Sequence, residues 1–549
     1  MKINPVTAKD FYKSGHIYQY PEGTEYVYSN LTPRSDKYAR EQNKVAVDFD
    51  GKLAWLGAQG VIKWLLIDYW NEYFFNRPKE EVIAEYKRRM DTSLGEGAVG
   101  TEHIEALHDL GYLPVRIKVL PEGTRVPMRV PVMTIVNTDP RFFWVTNMLE
   151  TQLSAELWKT STNATIAYEF RRILERFAEE TGAPKDFVPW QGHDFSMRGM
   201  SGIFDAAQSN TGHLASFLGT DTISAIDYIE LYYNGRDSFI GGSVAASEHS
   251  VMTMDGVEGE LELFRRLITN VYPSGIVSLV SDGFDFFRVI TEYAAILKPE
   301  ILARTPNALG MAKVVFRPDS GDPVKILTGY VKPFEDIDYP DHDSAYKDAP
   351  YNLSEAECVK IAGKWYGFEW FDGHDCTICD DVELSEAEVK GAVECLWDIF
   401  GGTTTEKGYK VLHERVGLIY GDSITIERMT AILQRLKDKG FASCNSVFGI
   451  GSYTYNMNTR DTFGFAIKAT FGVVKGVPRA IFKDPKTDSG TKKSAKGLLR
   501  VDKDENGEYI LSDEQDHNQE AGGQLRTIFL NGQLMIDESF DNIRKRLWG

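Results

Sequence analysis

The sequence predicts an α/β protein whose centre is a run of parallel βα units, and three observations carry that prediction. From about residue 190 to 450, short apolar runs each end in a cluster of Asp, Gly and Ser: "GIVSLVSDGFDFF", "MAKVVFRPDSGDPV", "VGLIYGDSITIERMTAIL" and "NSVFGIGSYTY". Most of these clusters run on into apolar residues at helical spacing, and strand, polar tip, helix in repetition is the pattern of parallel βα units. The 549 residues, 42% apolar and 26% charged, suffice for two or three domains with large cores.

Residues 1–185 read as a mixed α+β segment. "AWLGAQGVIKWLLIDYWNEYFF" and "EEVIAEYKRRM" have helical spacing. "LPVRIKVLPEGTRVPMRVPVMTIVNTD" alternates as short strands parted by Pro and Gly turns. A long helix follows from "WVTNMLETQ" to "ERFAEETG", where Gly182 closes it. Residues 186–455 hold the βα units. In barrels and open sheets alike, chemistry collects at the carboxyl ends of the strands. Asp282, Arg317, Asp319, Asp422 and Gly451 are therefore expected at one mouth. An interruption at about 335–408, with the hairpin-like "GKWYGFEWFDG" and the amphipathic "SEAEVKGAVECLWDIF", reads as an insertion. Residues 456–549 return to β-like segments, "ENGEYILSDE" and "RTIFLNGQLM", and end in a short charged helix.

A net charge of −19 argues against a nucleic-acid partner, because phosphate contacts need a basic face. A small anionic substrate fits where cations converge, as they do from Lys468 to Gly497. No apolar run approaches the length of a membrane span and the N-terminus lacks a secretory apolar core, so a cytoplasmic protein is expected. Five cysteines are too few and too clustered for a disulfide framework. "HDCTIC" lacks the second ligand pair of a structural zinc site, and no metal ligand is assigned.

"VFRPDSGDP" sets Arg317 and two carboxylates where a core strand meets solvent. Alone it reads as a turn, with Arg317 a structural ion pair and Asp319 a cap. Its companions are "HDFSMRG" (His193, Phe195, Arg198, Gly199), "LGTDTIS" (Asp221), "ASEHS" (Glu248, His249), "GDS" (Gly421, Asp422), "FGIGS" (Gly451, Ser452) and "NTRD" (Arg460). In this order the motifs resemble a type II phosphoribosyltransferase family, that of the nicotinamide and nicotinate phosphoribosyltransferases. The resemblance runs from "DFYKSGHIYQYPEGTEYVYSNLTPR" to "LNGQL", nearly the whole chain.

The resemblance implies an irregular βα-barrel core, with a β-rich, α+β second domain built from the N- and C-terminal segments. It implies condensation of nicotinamide with phosphoribosyl pyrophosphate, with Mg²⁺, and with ATP as a facultative co-substrate. Arg317 would bind pyrophosphate or the base edge, and Asp319 would stand in the ribose and catalytic site. Arg198 would bind phosphate, Gly421 and Asp422 the ribose hydroxyls, and Gly451 and Ser452 the nucleotide phosphate. Arg460, Lys468, Lys483 and Lys492 match a basic phosphate tunnel. Ser452 stands where many relatives carry glycine, and Ala466 where relatives can show serine. Tyr12, Lys13 and Arg34 match residues that reach the partner's site, which implies a homodimer with composite sites and a pyridine ring held between Tyr12 and Phe195. His249 matches a histidine that ATP phosphorylates, with Asp282 placed to orient its ring. Asp221 can accept the amide N–H₂ of nicotinamide, or cap the helix begun at "TISAIDYIELYY". The rivals are a nicotinate-specific enzyme of the same fold, a phosphosugar-binding barrel lyase using Lys313, and an inactive binding relative.

Overall fold

The computed structural model describes residues 3–330, 334–352, 357–371, 375–421, 423–482 and 495–549. Strands β1 (Thr24–Thr32), β2 (Val115–Val119) and β3 (Met133–Asn137) come first, followed by helix α1 (Val145–Thr181). Seven short strands then alternate with helices: β4 (Gly192–Asp194), β5 (Gly219–Thr220), β6 (Ala245–Ala246), β7 (Val277–Val280), β8 (Val314–Arg317), β9 (Val416–Tyr420) and β10 (Val447–Ile450). The chain closes with β11 (Ala466–Val474), β12 (Val477–Ala480), β13 (Arg526–Leu530) and β14 (Gln533–Leu534).

Strands β4 to β10 form one parallel sheet in the order β5-β4-β10-β9-β8-β7-β6. That order is the chain order wrapped into a ring, so the sheet curls into a barrel. The gap between β5 and β6 is spanned by a lone parallel bridge, Gly219 to Gly242. All four residues of β7, "VSLV", are buried, as a parallel strand covered on both faces requires. The expected irregular barrel is thus present, as is the sheet built from both chain ends. That second sheet runs β12-β11-β1-β3-β2-β13-β14. Its central pairing is antiparallel and joins β1 to β11 from Thr24–Val474 to Thr32–Ala466.

Helix α1 links the two halves. Its 37 residues, about 55 Å at 1.5 Å each, end where Gly182 adopts φ 69° and returns its N–H to Ala178 and Glu179. Leu149, Leu153 and Leu157 sit in the core beneath the antiparallel sheet. Ile166, Phe170, Leu174 and Phe177 sit in the barrel core. Between them "KTSTNAT", Lys159–Thr165, is buried and polar. Here Ser161 Oγ donates to Leu56 O at 2.6 Å, and Thr165 Oγ1 accepts from Ala54 N at 2.9 Å. Helix α2 (Ile203–Leu214) crosses this stretch, and a Cβ on its Gly212 would lie 2.6 Å from Ala164 N and Thr160 O.

The 335–408 segment divides in two. Strands Phe334–Tyr339, Cys358–Ile361, Lys364–Phe371 and Asp375–Leu384 make a separate four-stranded sheet. The helix Ala392–Phe400 instead buries Val393, Leu396 and Phe400 in the barrel core.

His213 on α2 is fully buried, with Nδ1 2.7 Å from Tyr455 Oη and Nε2 2.8 Å from Gly219 O. Burial pushes its pKa down to about 4, against a pull upward from Asp194. A folded-state value below the unfolded one means that the unfolded chain takes a proton first as pH falls. Stability is therefore expected to fall between about pH 6.5 and pH 4 by on the order of 3 kcal/mol from this group. Urea denaturation of wild type and His213→Gln at pH 7 and pH 4.5 checks this: wild type must lose more than the variant, and equal losses refute it.

Candidate active site

The mouth is built from neighbouring strand ends. In the β7–β8 ladder Val280 pairs with Arg317, and Ser281 N donates to Arg317 O at 2.9 Å. This lays the loop after β8 beside the loop after β7. The Arg317 guanidinium then forks onto Asp319, Nε to Oδ1 at 3.1 Å and Nη2 to Oδ2 at 3.0 Å, with both side chains largely buried. A planar fork on a carboxylate fixes direction as well as charge. The guanidinium carbon also lies 5.6 Å from the Phe195 ring centre.

Asp282 holds the same turn from below. Its Oδ2 accepts from Asp319 N at 2.9 Å, Ser320 N at 2.8 Å and Ser320 Oγ at 2.6 Å. Burial works to raise its pKa, but these donors and the His249 ring more than offset it, and the carboxyl sits below its usual range. Its buried Oδ1 takes no hydrogen bond and lies 3.2 Å from His249 Nε2. His249 Nδ1 is 4.0 Å from Asp319 Oδ2, and the ring is 49% exposed. The turn's helix Pro323–Thr328 is capped by Asp322, not Asp319. Gly421, beyond β9, donates its N–H to Pro318 O at 3.1 Å. A Cβ there would stand 2.0 Å from Asp319 Oδ1, so the glycine exists for that close approach. Asp422 lies outside the described residues.

A second group lies at the β4 and β5 tips. Asp221 Oδ1 accepts from Ser243 Oγ at 2.6 Å and contacts His193 Nε2 at 2.9 Å. The helix Ile223–Tyr232 has Thr222 as its N-cap with no side-chain capping bond, so Asp221 does not cap it. Burial acts to raise the Asp221 pKa, yet His193, Ser243 and the Arg317 charge together hold it below the usual range. Phe195 packs its ring 4.6 Å from that of His193. Fully buried Asp194 gathers Ser196 N and Oγ, Thr220 Oγ1 and Thr222 Oγ1 at 2.6 to 3.0 Å, which fixes the "HDFS" turn. Further round, Arg198 is exposed and makes no ion pair among the described residues. Gly199 packs on the β10 tip at Gly451–Ser452, where a Cβ on it would lie 2.1 Å from Ser452 Oγ.

The cations gather elsewhere, where β1 ends and β11 begins. Arg34 Nε donates to Gly464 O at 2.9 Å, and half-exposed Arg460 lies 3.6 Å from Asp461. Lys468 pairs in register with Asn30. Its ammonium is held below the usual range by desolvation and by the like charges of Arg34, Arg460 and Lys13, against the pull of Glu150. Lys13 Nζ is tied to Glu150 at 2.8 Å, beside exposed Tyr12. No described contact joins these residues to Phe195, His249, Arg317 or Asp319 of the same chain. Lys483 and Lys492 lie outside the described residues.

Sequence reasoning had named His193 without a role and passed over Ser243 and Ser320. Ser320 stood inside the "FRPDSGDP" stretch, where a serine reads as a turn residue. The link from Ser243 to Asp221 has no local signal. Among the described residues, no group of three or more His, Cys, Asp or Glu is placed to hold a metal ion.

A likeness of fold extends to the crystal structure of nicotinate-nucleotide pyrophosphorylase from Pyrococcus furiosus. Its TM-score is 0.51 at 14% identity, covering 100% of this chain and 95% of that one. Barrel and mouth define a phosphoribosyltransferase built on a βα-barrel. More narrowly, the chain belongs to the nicotinate phosphoribosyltransferase (NAPRTase) family, whose model matches residues 190–533. A nicotinamide phosphoribosyltransferase of Acinetobacter baylyi is 58% identical over 546 residues, which cover 100% of this chain and 97% of the relative. Another, from Xanthomonas campestris pv. campestris, is 30% identical over 549 residues, covering 98% and 97%.

Gly421→Ala is expected to drive Asp319 Oδ1 away by at least about 1 Å, because a real Cβ contact does not fall below 3.0 Å. A crystal structure of the variant checks this, and Asp319 still forked on Arg317 in its present place refutes it.

Proposed function

We propose that this chain joins nicotinamide to the ribose of phosphoribosyl pyrophosphate, releasing pyrophosphate and forming nicotinamide mononucleotide for NAD salvage in the cytoplasm. No helix among the described residues is long and apolar enough to cross a membrane. The observation that carries the choice of base is Asp221, an acceptor free of any capping duty and held by His193 and Ser243. Its carboxylate accepts the amide N–H₂ of nicotinamide, whereas nicotinate brings like charge against it. The names of the full-length relatives support the same base.

In the reaction the pyridine nitrogen's lone pair forms the bond to ribose C1, and the C1–oxygen bond breaks with its electrons leaving on pyrophosphate. Positive charge grows on the ribose and negative charge on the leaving group. Fixed charges and dipoles aimed at those positions lower the barrier. Phe195 offers its ring face to the base, and Arg317, locked by Asp319, presents a cation without reorganising. Arg198, Gly451 and Ser452 form the phosphate end of the mouth, and Gly421 and Asp422 the ribose side. Mg²⁺, which takes a carboxylate or two plus substrate phosphates and water, supplies charge neutralisation for the pyrophosphate. The Asp282 carboxylate, whose Oδ1 lies 3.2 Å from His249 Nε2, would offer one such ligand.

ATP use rests on His249. Its Nε2 faces Asp282, which leaves Nδ1 with the lone pair to take a phosphoryl group from ATP. Because transfer itself needs no ATP, the coupling is facultative. The cation group, which no described contact joins to Phe195, His249, Arg317 or Asp319 within one chain, serves the partner's mouth in a homodimer. Tyr12, Arg34, Arg460, Lys468 and Lys483 would then complete a composite site.

Incubation with phosphoribosyl pyrophosphate, Mg²⁺ and labelled nicotinamide or nicotinate, with and without ATP, tests the reading. Nicotinamide mononucleotide must be the main product, and the ATP effect must vanish in His249→Ala while slow synthesis survives. Asp221→Asn is expected to shrink the preference for nicotinamide by at least about tenfold; unchanged selectivity in that variant moves amide recognition elsewhere.

Mixing inactive Arg317→Ala with inactive Arg460→Ala tests sharing. In a mixed dimer one site combines an intact mouth with an intact cation group, so partial activity returns. A verified mixed dimer without activity shows that each chain builds its own site.

A further inference from the structure

The polar middle of α1 holds one charge that the reaction chemistry above does not use. Lys159 is buried, and its Nζ donates to Asp205 Oδ2 at 2.6 Å and to Asn456 Oδ1 at 2.7 Å. Both acceptors pass the contact on. Asp205 Oδ2 also accepts from Ser201 N at 2.8 Å. Asn456 Oδ1 also accepts from Ser201 Oγ at 3.1 Å, and its Nδ2 donates to Gly199 O at 2.9 Å. Asn456 ends the short helix Ser452–Tyr455, and its N–H returns to Ser452 O at 2.7 Å. One ammonium therefore ties together the turn that carries Arg198 and Gly199 and the tip that carries Gly451 and Ser452. The two turns touch so closely that only a glycine fits at residue 199. Nothing else in the described structure bridges them through a charge.

We propose that Lys159 is a positioning residue for the phosphate end of the substrate: through Asp205 and Asn456 it sets the spacing between the Arg198–Gly199 turn and the Gly451–Ser452 tip. The inference rests on the reading of that pair of turns as the phosphate end of the mouth. A charged donor shared by two fixed acceptors resists displacement more than a neutral hydrogen bond does. Phosphate groups held by backbone N–H and a guanidinium demand that spacing, because misplacement by about 1 Å costs up to about a hundredfold. The base end, built on Asp221, His193 and Phe195, has no contact with Lys159.

The test is steady-state kinetics of full-length Lys159→Met and Asn456→Ala, with nicotinamide and phosphoribosyl pyrophosphate varied separately. The expected result is a KM for phosphoribosyl pyrophosphate raised at least about tenfold, with the KM for nicotinamide within about threefold. Both constants rising together, or thermal stability alone falling, makes Lys159 a structural ion pair and overturns the proposal. Should Lys159→Met not fold, Asn456→Ala decides, and an unchanged KM for phosphoribosyl pyrophosphate there overturns it. If wild type itself makes no nucleotide, the functional reading fails separately. Hydrogen exchange then decides the clamp: protection lost at the amides of both Gly199 and residue 456, which donate to Ser196 O and Ser452 O, in Asn456→Ala upholds it, and protection kept at either refutes it.

Discussion

The seating of one long helix in two hydrophobic cores constrains everything else in the molecule. Helix α1 buries Leu149, Leu153 and Leu157 under the antiparallel sheet and Ile166, Phe170 and Phe177 in the barrel. Cores packed to crystal-like density do not let such a rod slide or roll. The two sheets are thereby fixed in relation to each other, although their strands share no ladder. The rod also carries charges to two different places, Glu150 to the cation group and Lys159 to the contact between the Arg198–Gly199 turn and the Gly451–Ser452 tip. Those places stand nine residues apart on one rigid element, so each reports the position of the other.

The mouth shows economy in its charges. Arg317 is spent on Asp319, Asp282 is spent on a turn, and Asp221 on His193 and Ser243. Such pairing in a partly dry setting fixes side chains before any ligand arrives, which is preorganisation in its plainest form. The chain's −19 formal charge coexists with a local crowd of Lys13, Arg34, Arg460 and Lys468, where burial first and the neighbouring cations second lower the Lys468 pKa. Like charges crowded this way gain from an anion between them.

Much of the barrel was legible because its code is local. An apolar run, an acidic or glycine tip and a helix lie next to one another in the chain, and the tips meet wherever parallel strands are laid side by side. The strand-end motifs gave Asp282, Arg317 and Asp319 as neighbours for the same reason, whereas His249 beside Asp282 was expected only through the family resemblance. That the two chain ends build one domain was expected only through family resemblance, and the ladder that does it, β1 with β11, joins strands more than four hundred residues apart. Local chemistry also left Asp221 undecided between cap and acceptor; Thr222 takes the capping position, and only a serine twenty-two residues later shows where the carboxylate is held. For Arg317 the ion-pair reading is met by the fork onto Asp319, and such a pair also fixes the direction of a cation at the mouth. The buried "KTSTNAT" stretch carried a signal, polar residues in the middle of a helix with apolar ends, but its partners come from three separate segments and no spacing rule names them.

The ring of barrel strands has six ladders and one seam. Every other neighbouring pair is joined by a ladder, whereas among the described residues one backbone bridge, Gly219 to Gly242 just before β6, spans the gap between β5 and β6. Backbone opens first where the fewest bonds hold it. Asp221 stands on one lip of that seam and Ser243 on the other, joined by a single 2.6 Å hydrogen bond. The side chains beside the bridge thus add a bond where the backbone offers few, and the seam of the barrel wall runs past the Asp221 carboxylate.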